Sequence, residues 1–247
     1  MIDRIIAPAK LTITLRVTGV RPDGYHLIDA EMVTLDLHDE LSITDAEESS
    51  ITVGGLFADG VPTDERNLCL RAAEFAQRPA EIHLEKHIPH GGGLGGGSAD
   101  AAAVLRWAGI SDLSLAVTLG ADIPFCLLGG RARVQGIGEI LEELPHVDRV
   151  FTLIVPPLHV STPAVYQAWD ELGGPHSDGP NDLEEAAITV EPRLAWWRDE
   201  IAKRTGVQPI LAGSGGTWFV EGEREDALVD LVGEGAVVRV ARTVKQM

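Results

Sequence analysis

Six glycines fill seven consecutive positions in this chain, Gly91-Gly92-Gly93-Leu94-Gly95-Gly96-Gly97, with Pro89-His90 before them and Ser98-Ala99 after. Glycine loses more backbone freedom on ordering than any other residue, so a fixed structure around this run needs an offsetting interaction. The stretch before it, Ala80–His87, alternates as a strand does, with Ile82 and Leu84 on one face. The stretch after it, Ser98–Gly109, is alanine-rich, opens with Ser98 and Asp100 and stops at glycine, which reads as a helix capped at both ends. Strand, glycine loop and helix N-terminus together make an anion cradle. Glycines let successive amides converge on one anion, and the helix adds unpaired N–H groups and the positive end of its dipole.

The cradle is of neither common kind. A Walker loop needs a lysine directly after its last glycine, and Ser98 stands there. A dinucleotide fingerprint belongs to the first strand of a βαβ unit, whereas the strand here begins only at Ala80.

Three other short segments carry chemistry-bearing residues. Lysine is scarce, at Lys10, Lys86, Lys203 and Lys245 only, yet Lys10 sits in the apolar stretch Ala7-Pro8-Ala9-Lys10-Leu11-Thr12. A lysine in such surroundings either snorkels to the surface or meets an anion. Asp122, in Gly120-Ala121-Asp122-Ile123-Pro124, reads either as a turn or cap residue or as an acceptor for a substrate hydroxyl proton. Gly213-Ser214-Gly215-Gly216 lies between two apolar runs and by itself reads as a hairpin turn.

Composition narrows the function classes. The 247 residues include 20 Lys plus Arg against 38 Asp plus Glu, a net charge of −18, which speaks against nucleic acid and anionic membranes as partners. A small anionic ligand remains open, because local amides and single cations hold it. No apolar run approaches the ~20 residues that span a bilayer, and the N-terminus does not read as a signal peptide, so the expected location is the cytoplasm. Cys69 and Cys126 read as buried free thiols.

The coarse element pattern is α+β. Strands are expected at Ile5–Val17, Glu31–Ile43, Ile123–Leu128 and Ala132–Gln135, and helices at Asn67–Gln77 and Leu113–Leu119, with a trimmed loop around Thr44–Asp64. From Phe151 onward, strand, helix, hairpin, helix and strand follow the ferredoxin-like order. The expected domains are residues 1–147 and 148–247, with the last strand a candidate to return to the first domain.

Taken in order, Pro8-Ala9-Lys10, the loop Pro89–Ser98 and Gly213-Ser214-Gly215 resemble the three signatures of the GHMP kinases. Arg21-Pro22-Asp23-Gly24-Tyr25-His26, Gly120 to Pro124, Thr162-Pro163 and Asn181-Asp182-Leu183-Glu184 narrow the resemblance. They are similar to the branch that phosphorylates the tertiary hydroxyl of a cytidyl-diphosphate sugar alcohol in non-mevalonate isoprenoid synthesis. The resemblance implies a two-domain GHMP fold, with a ribosomal-protein-S5-domain-2-like N-terminal domain and a ferredoxin-like C-terminal one. It implies ATP as co-substrate with Mg2+, for which this sequence offers no convincing protein ligand, and the expected state is a monomer or weak homodimer.

Carried over residue by residue, the resemblance makes Lys10 and Asp122 catalytic. It places the ATP phosphates on Pro89, His90, Gly91, Gly92, Gly93, Leu94, Gly95, Gly96, Gly97, Ser98 and Ala99, with Asn67 and Lys86 beside the adenine. Tyr25 and Tyr166 would sandwich the cytosine and His26 would bond its edge, while Thr12, Thr162, Gly213 and Ser214 would line the rest of the substrate site. The chain departs from the pattern at Thr12, where asparagine is usual, at His90, and at Gly216-Thr217-Trp218. The alternatives are a GHMP kinase for another small alcohol, which would need no Tyr25–Tyr166 sandwich, and a nucleotide-binding protein without catalysis, which would need neither Lys10 nor Asp122.

Overall fold

A computed structural model describes residues 2–89 and 91–245. The first sheet is organised by one long antiparallel pair, β1 (Asp3–Val20) and β2 (His26–Asp45), joined by a turn at Pro22-Asp23-Gly24. Their dense β-branched and leucine content suits strands buried over most of their length. The far edge of β2 is shared between two partners. Ile28–Val33 pairs with β5 (Arg131–Gly136), and Glu40–Asp45 pairs with β4 (Ala80–Glu85). Between them, the residues after the last strand fill the gap: Leu35 bridges Thr243, and the Val244 N–H donates to the Thr34 carbonyl at 3.0 Å. Outer strands β3 (Ser50–Gly54, parallel to β4) and β6 (Ile140–Glu143, antiparallel to β5) complete the sheet.

Helices α1 (Leu68–Phe75), α2 (Gly96–Trp107), α3 (Leu113–Ala116) and α4 (Ile123–Leu128) cluster with this sheet. Helix α2 is central, contacting β1, α1 and α4. Its run of Ala99, Ala101, Ala102 and Ala103 is fully buried, small side chains letting it lie close to the strands. Two expectations change here. Segment Ile123–Leu128 is a helix, with Pro124 in its first turn, where proline's fixed φ and missing N–H are tolerated. Residues 50–54 form a strand where a trimmed loop was expected, because Ile51 buries itself beside Ile82.

The second sheet is antiparallel in the order β10-β7-β9-β8, the ferredoxin-like order, from β7 (Val150–Val155), β8 (Ile210–Leu211), β9 (Trp218–Glu221) and β10 (Val237–Arg242). Helices α5 (Thr162–Glu171), α6 (Glu184–Val190), α7 (Arg193–Thr205) and α8 (Glu225–Gly233) accompany it, α6 being an element with no strong sequence signal. One buried cluster joins the two halves, with Leu15, Val17, Met32 and Phe125 packing alongside Trp169, Trp197 and Trp218. Asn181-Asp182 fastens the halves together. Leu15 N–H donates to the Pro180 carbonyl and Asp182 N–H to the Leu15 carbonyl, at 2.9 and 3.0 Å. The Asp182 carboxylate accepts from Arg16, from the Val17 N–H, from the Ser177 N–H and pairs with His176. Burial alone would raise its pKa, but these donors hold it below the usual carboxylate value. Among the described residues, no helix is long and apolar enough to cross a membrane.

Candidate active site

Lys10 enters the site from the middle of β1. The β1–β2 register slips between Pro8 and Lys10 and again between Thr12 and Thr14, and such bulges re-aim side chains. Between the slips, Lys10 and Thr12 share one face of the strand, and Lys10 Nζ donates to Thr12 Oγ1 at 3.2 Å. Asp122 arrives from the opposite side as the N-cap residue of α4. Its backbone is already helical (φ −87°, ψ −12°) and its side chain makes no cap bond, so the carboxylate is left for Lys10. Lys10 Nζ stands 3.2 Å from Asp122 Oδ2. The lysine is only 5% exposed, and a buried ammonium is costly without a partner. The Asp122 side chain keeps 33% of its surface open, so the pair is approached from the aspartate side.

The pair borders a cavity of about 570 Å³. Its lining brings together Lys10, Thr12, Tyr25, His26, Gly93, Asp122, Thr162, Tyr166, Gly213 and Ser214, which lie far apart in the chain.

The glycine loop closes one end. Gly91, Gly93 and Gly95 all take positive φ (73°, 76° and 69°), the alternating backbone conformation from which anion-binding nests of amides are built. Two of these glycines are required by their neighbours. A Cβ on Gly93 would lie 2.8 Å from the Ala212 carbonyl oxygen and 2.9 Å from that of Gly215, so the loop packs directly on the Gly213–Gly216 turn. A Cβ on Gly95 would lie 2.6 Å from Lys10 Cγ. The Lys10 N–H donates to the Leu94 carbonyl at 3.0 Å, fixing loop and strand together. Helix α2 starts at Gly96 with Gly95 as N-cap and no side-chain cap, earlier than the Ser98 start expected from sequence. Ser98 therefore lies inside the first turn. The helix ends as expected, with Gly109 in the left-handed region. His90 lies outside the described residues.

The other end is aromatic. Helix α5 presents Thr162, Tyr166 and Asp170 at intervals of four, which puts all three on one face and into the cavity. The His26 ring packs on Tyr166 (centroids 4.6 Å apart, tilted by 33°) and meets Trp169 edge-on at 5.7 Å. Tyr25 and Tyr166, the two rings expected to sandwich the cytosine, both line the cavity but do not pair with each other. His26 is Tyr166's neighbour, while Tyr25 is 59% exposed at the rim with the Arg21 guanidinium near its ring. Burial, with the Asp122 charge second, pushes the Tyr166 hydroxyl pKa well up, so it stays protonated. Thr162 Oγ1 and Ser214 Oγ share a hydrogen bond of 2.7 Å that links the start of α5 to the Gly213 turn.

Asn67 and Lys86 do not line the cavity. Asn67 is the N-cap of α1: its Oδ1 accepts from the Cys69 N–H at 2.9 Å and its Nδ2 donates to the Pro62 carbonyl. Lys86 is 2% exposed, and its ammonium is bonded to Asp39 and Asp100 beneath the loop. Asp39 also accepts from the His87 and Ile88 N–H groups, so the triad braces both ends of the loop. Burial pushes the Asp100 pKa up to about 7, while the two carboxylate charges outweigh burial and raise that of Lys86. Both side chains are thus engaged within the protein, Asn67 as a helix cap and Lys86 beneath the loop.

Sequence reasoning missed Asp170, which carried no motif and shows only as the third member of the Thr162–Tyr166–Asp170 spacing. It also left Asn181 without a role. The Asn181 Nδ2 donates to the Leu211 and Gly213 carbonyls at 2.8 and 2.7 Å, holding the turn against the cavity.

Comparison with known proteins gives the class first: residues 67–130, from the cap of α1 to just past α4, match the family described as GHMP kinases N terminal domain. A 4-diphosphocytidyl-2-C-methyl-D-erythritol kinase of Paracoccus denitrificans is 41% identical over 87% of this chain and 85% of its own length. One of Jannaschia sp. is 38% identical over 91% of this chain and 90% of its own. A crystal structure of 4-(cytidine 5'-diphospho)-2C-methyl-D-erythritol kinase superposes with a TM-score of 0.76 at 31% identity, covering 98% of this chain and all (100%) of that one. The chain belongs to the 4-diphosphocytidyl-2-C-methyl-D-erythritol kinase family, and it is a kinase.

Proposed function

We propose that the chain transfers the γ-phosphoryl group of ATP to the tertiary 2-hydroxyl of 4-diphosphocytidyl-2-C-methyl-D-erythritol, in the non-mevalonate route to isoprenoid precursors. The observation that carries this is the Lys10–Asp122 pair set between a glycine cradle and an aromatic pocket in one cavity. Asp122 accepts the hydroxyl proton as the oxygen attacks the γ-phosphorus. The new O–P bond forms while the bond to the β–γ bridging oxygen breaks, and ADP leaves with that electron pair. Phosphoryl transfer depends mainly on positioning and charge, which suits a site with few ionisable side chains. Lys10 holds Asp122 in place and offsets the charge spreading over the transferring group. The loop amides and the N-terminus of α2 receive the ATP phosphates.

Among the described residues there is no cluster of three or more His, Cys, Asp or Glu able to hold a metal. Mg2+ bound with the nucleotide would be held mainly by phosphate oxygens and water and would offset their charge, with Asp122, beside Lys10, the carboxylate at this end of the cavity. In this reading residues 1–147 carry the loop and the catalytic pair, and residues 148–247 carry the nucleobase helix and the Gly213-Ser214 turn. A monomer or weak homodimer acting in the cytoplasm completes this reading, since its substrates are small and water-soluble.

The test is product analysis. Incubation with ATP, Mg2+ and the cytidyl substrate gives a product heavier by one phosphoryl group, with a phosphomonoester signal in the 31P spectrum. Mevalonate, homoserine and galactose give none. Turnover of one of those alcohols in place of the cytidyl compound would overturn the assignment.

A further inference from the structure

Asp170 has no role in the reading above, yet its carboxylate points into the nucleobase end of the cavity. Its Oδ1 lies 2.9 Å from His26 Nε2. We propose that Asp170 is a specificity-determining positioning residue that fixes the tautomer of His26 and thereby selects an amino-bearing pyrimidine over its oxo counterpart. The proposal rests on the reading of His26 as the group that meets the base edge.

The argument runs through hydrogen inventory. A carboxylate accepts and never donates, so the hydrogen between Asp170 and His26 belongs to Nε2. A neutral imidazole carries one ring hydrogen, so Nδ1 is then an acceptor. Among the described residues Nδ1 has no hydrogen-bond partner of its own, and it is not a buried orphan either. The ring cannot readily turn over to exchange its nitrogens. It is clamped by Tyr166 on one face and Trp169 at its edge, and its side chain is only 10% exposed. The clamp and the carboxylate share one element, since Tyr166 and Asp170 stand one turn apart on α5. A fixed acceptor suits the exocyclic amino group of cytosine. It sets lone pair against lone pair with the O4 carbonyl of uracil, and sites with fixed polar groups reject such mismatches strongly. Asp170 is half exposed (48%), so its replacement should leave the fold intact.

The experiment has two arms. In the first, 15N spectra of the full chain labelled at histidine report which His26 nitrogen carries hydrogen. The expected result is hydrogen on Nε2 in the parent and in Asp170→Glu, which keeps an acceptor-only group, and a mixture of tautomers in Asp170→Asn, whose amide can accept or donate. Hydrogen on Nδ1 in the parent, or an unchanged spectrum in Asp170→Asn, overturns the proposal. In the second, kcat/KM is compared for the cytidyl substrate and its uridyl analogue. The ratio should fall at least tenfold in Asp170→Asn and recover in Asp170→Glu. An unchanged ratio overturns the proposal, as does an equal loss on both substrates. Absence of turnover by the parent on either nucleotide would count against the proposed function and not against Asp170, because the spectra still decide the tautomer.

Discussion

The Lys10 ammonium meets the Asp122 carboxylate at 3.2 Å across the floor of the cavity, one from a bulged strand and the other from the cap of a short helix. Neither side chain serves its own element. The bulge turns Lys10 inward, and Asp122 forgoes the cap bond its position offers. Replacing Lys10 by methionine keeps the bulk of the stem and removes the charge. Turnover should fall about 10²–10³-fold, as when one preorganised charge is lost from a transition-state site, while the melting temperature holds within a few degrees. Steady-state kinetics with a thermal melt checks both.

Thr12 Oγ1 is the second partner of the same ammonium. Thr12→Val is nearly isosteric and removes only the hydroxyl. It should lower kcat by roughly the worth of one buried hydrogen bond, about tenfold for ~1.5 kcal/mol, with a smaller change in KM for ATP. A change confined to KM for ATP would place Thr12 on the nucleotide side instead.

Gly95 combines a left-handed φ of 69° with a Cβ direction that runs into Lys10. Gly95→Ala should cost about 1–2 kcal/mol in backbone strain alone. It should also displace Lys10, so activity falls further than stability does. Gly109 also has positive φ but open space around its Cβ position, so Gly109→Ala should lose stability and keep activity. The comparison separates strain from crowding.

The Lys86–Asp39–Asp100 triad has one more carboxylate than ammonium, and Asp100 Oδ1 has no partner. Burial raises the Asp100 pKa in the folded state from 3.8 to about 7. A raised acid pKa stabilises the fold fully below the unfolded value and loses that contribution as pH rises through the folded one. Relative to Asp100→Asn, the parent should therefore lose stability between about pH 4 and pH 7. Urea titrations across that window check the sign.

Cys69 and Cys126 are both free, and burial raises both thiol pKa values, that of Cys126 to about 12. Thiolate is the reactive form, so neither should react with iodoacetamide until the protein unfolds. Labelling at neutral pH in native buffer would contradict the burial described above.

What could be read from the sequence was whatever a local pattern encodes. The glycine loop, its strand and the helix after it follow from chain chemistry, and the ferredoxin-like order follows from the spacing of five segments. Ile123–Leu128 misled because a six-residue apolar run fits a strand and a buried helix equally, and Pro124 was the cue for the helix. The buried bonds of Lys86 were not legible, because sequence does not say where a long side chain points. Its partner Asp39 lies on β2, the strand paired with β4, 47 residues earlier in the chain. Tyr25 and His26 adjoin in sequence, yet only His26 reaches Tyr166, a choice made by packing between the two halves. Asp170 and Asn181 act through contacts with distant residues, His26 for the one and Gly213 for the other; Asp170 stood in no motif, and the motif that holds Asn181 did not say what it touches.

The central claim is that Asp122 takes the proton from the alcohol that receives the phosphoryl group. Coupled ADP release with ATP, Mg2+ and 4-diphosphocytidyl-2-C-methyl-D-erythritol tests it most directly, run on the parent chain and on Asp122→Asn. The account predicts release that depends on the cytidyl substrate in the parent, and a loss of about 10²–10⁴-fold in kcat in the variant with substrate still bound. Turnover by Asp122→Asn at the parent rate would contradict it.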